Sequence, residues 1–357
     1  MKRVLVFNFF GGVMDRGIPL YARDIAESMR RVGLEPLELR CPRALRRLPR
    51  ALRNSLFVLF EQVAAPLARA LRGCTLTVYP YNSAGIVDAV LGRSVIVVHD
   101  LIGNSRDTAG LAARYIRYTQ AVHRKFARPV CAASIHTLAH LRRLPAFGRC
   151  ALRLWPNAFY AFEAALSRRR AETSRGEQER LRILLCSGIG PNKDYAGALA
   201  QFRHSRALEG AELRIVGFGD EAELARRRAS HLPDPVRERI VVLPRLSLDE
   251  LVAEYTASDL VWVHSRTEGF GRFVIEAMMC GRPVLASNIG AFRRLKGPGV
   301  FLYRKDHFDE AAERALVARS APHPNLSAYH APLEAAVREV VEMLTSSMRT
   351  AGGERAH

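Results

Sequence analysis

The sequence predicts an α/β fold made of two domains with parallel sheets. Apolar runs of strand length recur along the chain, and glycine-containing turns lead from several of them into helical stretches, the pattern of successive βα units. A length of 357 residues accommodates two domains of about 100 to 200 residues each. A composition of 48% hydrophobic and 25% charged residues is that of a folded chain, so disorder is not the starting expectation. Cys41, Cys74, Cys131, Cys150, Cys186 and Cys280 show no CxxC or Cys/His ligand spacing and read as reduced thiols of a cytosolic protein. The apolar start, MKRVLVFNFFGGVM, is short, holds Asn8 and lacks a small-residue cleavage site, so it reads as a first strand rather than a signal peptide. No apolar run approaches the roughly 18 residues that a membrane span needs.

The net charge of +19 is unevenly placed: residues 1–156 hold 25 Lys and Arg against 9 Asp and Glu, whereas the rest is close to balanced. A basic amino-terminal half points to an anionic partner, which could be nucleic acid, an acidic membrane surface or a phosphorylated acceptor.

Taken in order, Val4 to Phe10 reads as a buried strand and Gly11 to Gly17 as a glycine loop. A helix then starts near Pro19, a residue favoured at a first helical position, and ends at Gly33. Arg40 to Arg53 carries six arginines in fourteen residues, with Leu45, Leu48 and Leu52 at helical spacing and the apolar run Leu56 to Phe60 behind it. That is the pattern of an interfacial element, with Arg43, Arg46, Arg47, Arg50 and Arg53 on lipid phosphates. Pro42 and Pro49 interrupt it, and a solvated surface helix is the alternative. Leu76 to Tyr79 and Ser94 to Val98 are strands, the second leading into His99-Asp100. A helix from Leu111 to Phe126 and a strand from Val130 to Ala133 follow. Ala164 to Arg182 is rich in Arg and Glu with little periodicity, so the interdomain linker belongs there.

The second domain starts with a strand from Leu181 to Cys186 and a turn running from Ser187-Gly188 to Lys193. Leu213 to Val216 leads into Gly217-Phe218-Gly219, and Ile240 to Leu243 leads into Pro244-Arg245-Leu246. A helix from Asp249 to Tyr255 precedes the most informative stretch, Val261 to Asn288, VWVHSRTEGFGRFVIEAMMCGRPVLASN. It reads as strand, glycine turn, helix from Arg272 to Met279, and strand from Val284. Glu268 and Glu276 flank the turn Gly269-Phe270-Gly271. Glycines admit a ligand close to the backbone, and a helix amino terminus suits an anion such as a diphosphate. An ordinary βαβ corner with two solvated glutamates is the competing reading. Pro332 to Met348 closes the chain as a periodic helix, and the tail after Thr350 is expected to be disordered.

The run SRTEGFGRFVIEAMMCGRPVLASN resembles the donor-binding segment of the retaining GT-B glycosyltransferases of family 4, the glycosyl transferases group 1 with mannosyltransferase-like members. Lesser resemblances lie in GIPLYARDIAESM, VIVVHDLIGNSR, SGIGPNKDYAGALAQF and the Pro-Asn step at Pro156-Asn157. Arg272 and Phe273 depart from the pattern, which often has a small or apolar residue and Pro there. Asn192 stands where a second phosphate-binding Arg is common, and Arg294 falls where a Glu is common.

The resemblance implies two Rossmann-like domains facing a central cleft. They would comprise an acceptor-side domain over 1–160, a linker over 161–180, a nucleotide-sugar domain over 181–330, a helix over 331–349 packing back on the first domain, and a disordered tail over 350–357. It implies that Glu276 binds the ribose, that Glu268 and the amides of Gly269, Phe270 and Gly271 hold the transferred sugar, and that Lys193 beside Gly188 meets the diphosphate, with Arg266 a candidate to assist it. Backbone at Arg245 and Leu246 would border the base. His99 would face the reacting centre, and Gly12, Gly17 and Asp100 would line the acceptor side. Glu268, His99 and Lys193 are the catalytic candidates, with Glu268 orienting the sugar rather than attacking it. No Asp-x-Asp occurs, in keeping with an enzyme that needs neither metal nor cofactor. The implied reaction moves a hexose-type sugar, with retention, from a UDP- or GDP-sugar to a lipid-linked or phosphorylated glycan at the inner face of the cytoplasmic membrane, as in polysaccharide or lipopolysaccharide synthesis. Two other readings stay open: a degenerate, non-catalytic partner of another transferase, and a basic nucleic-acid-binding protein. The basic region lacks the interleaved aromatics that nucleic acid would call for.

Overall fold

The computed structural model describes residues 2–12, 17–42, 44–45, 48–100, 110–170, 180–188, 190–218, 222–318 and 320–353. The chain divides into unit 1, Met1–Ala161 with Asn325–His357, and unit 2, Phe162–Pro324.

Unit 1 is built on six parallel strands: β1 (Arg3–Phe7), β2 (Glu35–Leu39), β3 (Leu76–Tyr79), β4 (Ser94–Val98), β5 (Val130–Ala132) and β6 (Leu152–Leu154). Their order is β2-β1-β3-β4-β5-β6. β3 and β4 are buried at every position, as near-continuous apolar strands covered on both faces must be. Against one face pack Tyr21, Ile25 and Met29 of the helix Ile18–Arg31, together with Leu333, Val337, Val340 and Leu344 of the last helix, Ser327–Gly353. The last helix thus belongs to unit 1. The other face carries Phe7, Phe9, Tyr79 and Tyr81, onto which Leu56, Phe57 and Phe60 fold.

Four details depart from the sequence reading. The first strand stops at Phe7 instead of Phe10, because Asn8 turns its amide onto Pro19 O and Glu38 Oε2 and residues Phe9–Gly12 tighten into a 3₁₀ turn. The basic segment is not helical from Arg40. The helix begins at Arg50, after Pro49, and runs to Leu71 through a π turn at Phe60–Ala64. That turn lies just ahead of Pro66, whose missing N–H interrupts the regular ladder. Arg43, Arg46 and Arg47 lie outside the described residues. The segment assigned to a linker starts as a helix, Tyr160–Arg170, which buries Phe162, Ala165 and Leu166; residues 171–179 lie outside the described residues. The last helix starts at Ser327, where Asn325 Oδ1 accepts the Ser327 amide, so Pro332 falls in its second turn. It continues into the expected tail as far as Gly353, and 354–357 lie outside the described residues.

Unit 2 repeats the plan with β7 (Arg182–Cys186), β8 (Glu212–Val216), β9 (Ile240–Val242), β10 (Leu260–Val263), β11 (Val284–Ser287) and β12 (Val300–Tyr303), all parallel, in the order β12-β11-β10-β7-β8-β9. From β7 the chain moves outward to β8 and β9, and then returns to the other side of β7 as β10. The connections leaving β7 and β10 therefore run to opposite sides along the sheet, and their loops meet at its carboxyl end, the place where such sheets bind ligands. Gly217 keeps one side of it tight. At φ +126° a Cβ there would lie 1.6 Å from Ser187 O, so the ends of β7 and β8 approach only because this residue has no side chain.

Candidate functional site

The stretch singled out in the sequence forms that corner. β10 ends at Val263, the chain turns through His264 to Gly271, and the helix Arg272–Met279 follows before β11. Gly271 enters the helix at φ +93°, and a Cβ there would meet the Phe292 ring at 2.3 Å. Phe292, fully buried, thus packs on the glycine turn, and Arg294, where an acid is common in the resembling family, points to solvent.

Facing this turn is the loop after β7. Pro191–Lys193 form a 3₁₀ turn, Asp194 adopts a left-handed conformation at φ +43°, and the helix Tyr195–His204 begins. The two loops are stitched together: Arg266 N donates to Asn192 O at 2.7 Å, and Asn192 Nδ2 donates to Thr267 O at 3.3 Å. Asn192 is therefore a fastening residue here rather than an empty phosphate position.

The structure brings Lys193, Glu268, Gly188, the glycine turn and Glu276 to this one end of the sheet. Lys193 Nζ donates to Glu268 Oε1, which also accepts from Ser265 Oγ at 2.8 Å, and the Lys193 ammonium sits 5.5 Å from the centre of the Phe273 ring. Phe273, one of the two departures, is thus the aromatic face that holds the lysine. Glu276 is almost wholly buried; its Oε2 accepts from Tyr255 OH at 3.1 Å and its Oε1 from Arg272 Nε at 3.2 Å. Burial, with Cys186 and Glu276 close by, raises the Tyr255 phenol well above its ordinary range, so it remains a donor to that carboxylate.

Several groups of this site were not singled out from the sequence. Trp262 Nε1 and Ser287 Oγ both donate to Tyr303 OH, at 3.0 and 3.2 Å, which leaves the Tyr303 proton for His264 Nδ1. The opposite nitrogen, Nε2, then carries the hydrogen that faces Asp194 Oδ2 at 3.4 Å. Burial lowers the His264 pKa against the pull of Asp194, which keeps the ring neutral. Burial raises Asp194, but hydrogen bonds from Arg266 and His264 outweigh it and hold the carboxyl below its ordinary range. The signal was available, since His264-Ser265 directly follow a buried strand and Asp194 directly follows Lys193. Ser187 Oγ and Asn288 Oδ1, at the ends of β7 and β11, are buried without a hydrogen-bond partner among the described residues. Unsatisfied buried groups of this kind at a ligand-binding sheet edge are ready to accept or donate to a bound molecule.

Arg245 and Leu246 stand half-buried beyond β9, at the same sheet end but two strand positions from β7. His99, Asp100, Gly12 and Gly17 belong to unit 1, all at the carboxyl ends of β1 and β4. There His99 Nε2 faces Pro80 O at 2.9 Å, its ring lies edge-on to Tyr21, and its backbone N donates to Asn82 Oδ1 at 2.7 Å. Gly17, at φ +65°, is the residue before the first helix. Residues 13–16 and 101–109, which would complete those two loops, lie outside the described residues.

Residues 168–319 match the family model of the glycosyl transferases group 1. A D-inositol 3-phosphate glycosyltransferase of Mycolicibacterium smegmatis is 30% identical over 164 residues, which is 43% of this chain and 37% of that protein; several shorter matches cover 12% of relatives with the same name. Among solved structures, a sucrose-phosphate synthase of Thermosynechococcus elongatus aligns over 99% of this chain and 98% of its own, with a TM-score of 0.66 and 18% identity. The Anabaena HepE protein in complex with UDP and glucose aligns over 98% and 100%, with a TM-score of 0.63 and 18% identity. The two parallel six-stranded sheets are the GT-B fold.

Proposed function

We propose that the chain is a glycosyltransferase that takes a hexose-type sugar from a nucleotide-sugar donor bound in unit 2, a reading supported by the match of residues 168–319 to the glycosyl transferases group 1 model. The observation that carries this reading is the convergence of Lys193, Glu268 and Glu276 at the crevice end of one sheet. Each suits one part of such a donor. Glu276, buried and held by neighbours, accepts from ribose hydroxyls. Lys193 and the amides at the start of the helix Arg272–Met279 neutralise the diphosphate. Glu268, fixed by Ser265, accepts from the hydroxyls of the sugar and orients it.

The reaction proposed is retaining and needs no metal. The bond from the anomeric carbon to the diphosphate oxygen breaks, the acceptor oxygen bonds to that carbon on the same face, and the acceptor proton passes to the departing phosphate oxygen. A UDP-sugar is favoured by the likeness to a fold that holds UDP and glucose, with a GDP-sugar the next choice. In unit 1, His99 is proposed as a catalytic residue, with Gly12, Gly17 and Asp100 on the acceptor side.

The proposed acceptor is a lipid-linked or phosphorylated glycan reached at the cytoplasmic face of a membrane with anionic lipids. The support is the basic unit 1 and the outer face of its helix at Arg50–Leu71. Leu52, Leu59, Val63, Leu67 and Leu71 recur there at turn spacing and are 47% to 78% exposed. Arg69 is ion-paired to Asp88 at 2.7 Å, which brings the exposed Val87, Val90 and Leu91 alongside. The single acid between residues 50 and 72, Glu61, is buried, so no carboxylate from this run repels an anionic surface. Among the described residues no helix is long and apolar enough to cross a membrane.

The test is release of nucleoside diphosphate from UDP-, GDP-, ADP- and dTDP-sugars by the full chain, with and without membrane lipid extract. Turnover of one donor supports the reading. Binding of a donor without hydrolysis or transfer to any acceptor supports the non-catalytic partner instead.

A further inference from the structure

We propose that Arg272 is a donor-binding residue: it supplies the second positive charge to the donor diphosphate, and Glu276 holds it in position until the donor arrives. This rests on the reading of unit 2 as a nucleotide-sugar site and adds a residue to it.

The argument starts from charge. A nucleotide sugar carries two negative charges on its diphosphate, and Lys193 answers one. Among the described residues the corner offers two further cations, Arg266 in the turn and Arg272 at the start of the helix. Arg266 is 69% exposed and donates to Asp194 at 2.8 Å, where it tethers the loop after β7. Its charge is screened by water. Arg272 is 11% exposed, stands at the first position of the helix after the glycine turn, and lies next in sequence to Phe273, whose ring holds Lys193. A guanidinium there is partly desolvated, and its planar fork matches phosphate oxygens.

Within the corner the charges pair off. Lys193 is paired with Glu268 and Arg272 with Glu276, two cations against two carboxylates, and each of the four side chains is less than 20% exposed. Leaving any one of them alone in such a place would be strongly unfavourable. A diphosphate with its two sugar rings resolves this by exchange. The cations turn to the phosphate oxygens, and the carboxylates accept the ribose and sugar hydroxyls. Tyr255 remains on Glu276 throughout, so that carboxylate does not lose its position when Arg272 leaves. Ser187 Oγ and Asn288 Oδ1, buried at the same sheet end and without a hydrogen-bond partner among the described residues, are independent signs that a polar ligand completes this site.

The experiment is calorimetric titration of the full chain, first with UDP, GDP, ADP and dTDP, and then with the monophosphate of whichever base binds. Arg272→Gln removes the charge while keeping a hydrogen-bonding partner for Glu276, Arg272→Lys restores the charge, and Arg266→Ala tests the competing cation; thermal melting checks that each is folded. The expected result is that Arg272→Gln weakens the diphosphate roughly tenfold to hundredfold, the monophosphate much less, and that Arg272→Lys recovers part of the loss. The proposal is overturned if Arg272→Gln binds the diphosphate as the unaltered chain does, or loses mono- and diphosphate equally, or if Arg266→Ala alone produces the loss. In each of those cases the donor site itself stands. Failure of the unaltered chain to bind any of the four nucleotides overturns the donor reading and this proposal together.

Discussion

Arg272 Nε donates to Glu276 Oε1 at 3.2 Å across one turn of a single helix, and the two side chains are only 11% and 4% exposed. A carboxylate so deeply placed depends on its donors. Glu276→Gln keeps the shape but removes the charge that draws ribose hydroxyls. Its expected effect is a roughly tenfold or greater loss of nucleotide affinity with a correctly folded unit 2, read by calorimetry and circular dichroism. Glu276→Ala removes a buried carboxylate to which Arg272 and Tyr255 both donate, so a fall in melting temperature is expected in addition, on the order of 3 kcal/mol in stability.

Lys193 and Glu268 form the second pair. If Lys193 neutralises charge that grows on the leaving diphosphate, Lys193→Met lowers kcat more than it raises KM for the donor, by about a hundredfold or more in kcat. Equal donor affinity and equal kcat would remove the lysine from the mechanism.

Gly217 makes a prediction about stability alone. With φ +126° and Ser187 O 1.6 Å from where a Cβ would stand, Gly217→Ala forces the ends of β7 and β8 apart. The expected loss exceeds about 3 kcal/mol in urea denaturation, larger than an ordinary surface substitution.

Two buried groups in unit 1 give opposite pH dependences. Burial raises Glu61 from 4.5 to about 7, against hydrogen bonds from Ser83, Tyr115 and Gln62. The folded state then holds a proton that the unfolded chain has released, so the contribution of this group falls as pH rises from about 4.5 to about 7. Burial lowers His123 from 6.5 to about 4, so its contribution is present above about 6.5 and is lost as pH falls toward 4. Each slope is at most about 1.4 kcal/mol per pH unit, and between pH 4.5 and 6.5 they oppose one another. Glu61→Gln removes one of them. Urea denaturation at pH 5 and pH 8 is expected to show the variant gaining stability relative to the unaltered chain as pH rises; an unchanged pH profile would contradict the buried, protonated glutamic acid.

The exposed apolar face of the helix at Arg50–Leu71 predicts vesicle binding. Val63→Glu with Leu67→Glu is expected to weaken co-sedimentation with phosphatidylglycerol vesicles at least tenfold, with nucleotide binding unaffected. Binding of the unaltered chain is expected to fall as salt rises from about 0.05 to 0.5 M, and binding indifferent to both changes would exclude the surface.

The central corner was legible because its residues obey local rules. A four-residue buried strand, a glycine turn and an eight-residue helix ended by Gly281 and Pro283 leave little freedom, and the helix bounds agree with those read from the sequence. Less legible was anything set by packing between distant segments. The helix Tyr160–Arg170 hides its buried Phe162, Ala165 and Leu166 among arginines, so it read as a linker. Glu61 looks like an ordinary surface acid beside an apolar run, and only the fold shows it enclosed by Ser83 and Tyr115. Arg272 and Phe273 read as departures from a pattern. Their partners, Glu276 four residues on and Lys193 in another loop, give both a physical purpose.

The measurement that bears most directly on the account is calorimetric titration of the full chain with UDP-, GDP-, ADP- and dTDP-sugars, repeated on Glu276→Gln and Lys193→Met. The account predicts micromolar to millimolar binding of at least one of them to the unaltered chain, weakened roughly tenfold or more in Glu276→Gln and to a smaller but measurable extent in Lys193→Met. Binding unchanged by both substitutions would contradict the assignment of the donor to this corner of unit 2, as would no binding at all.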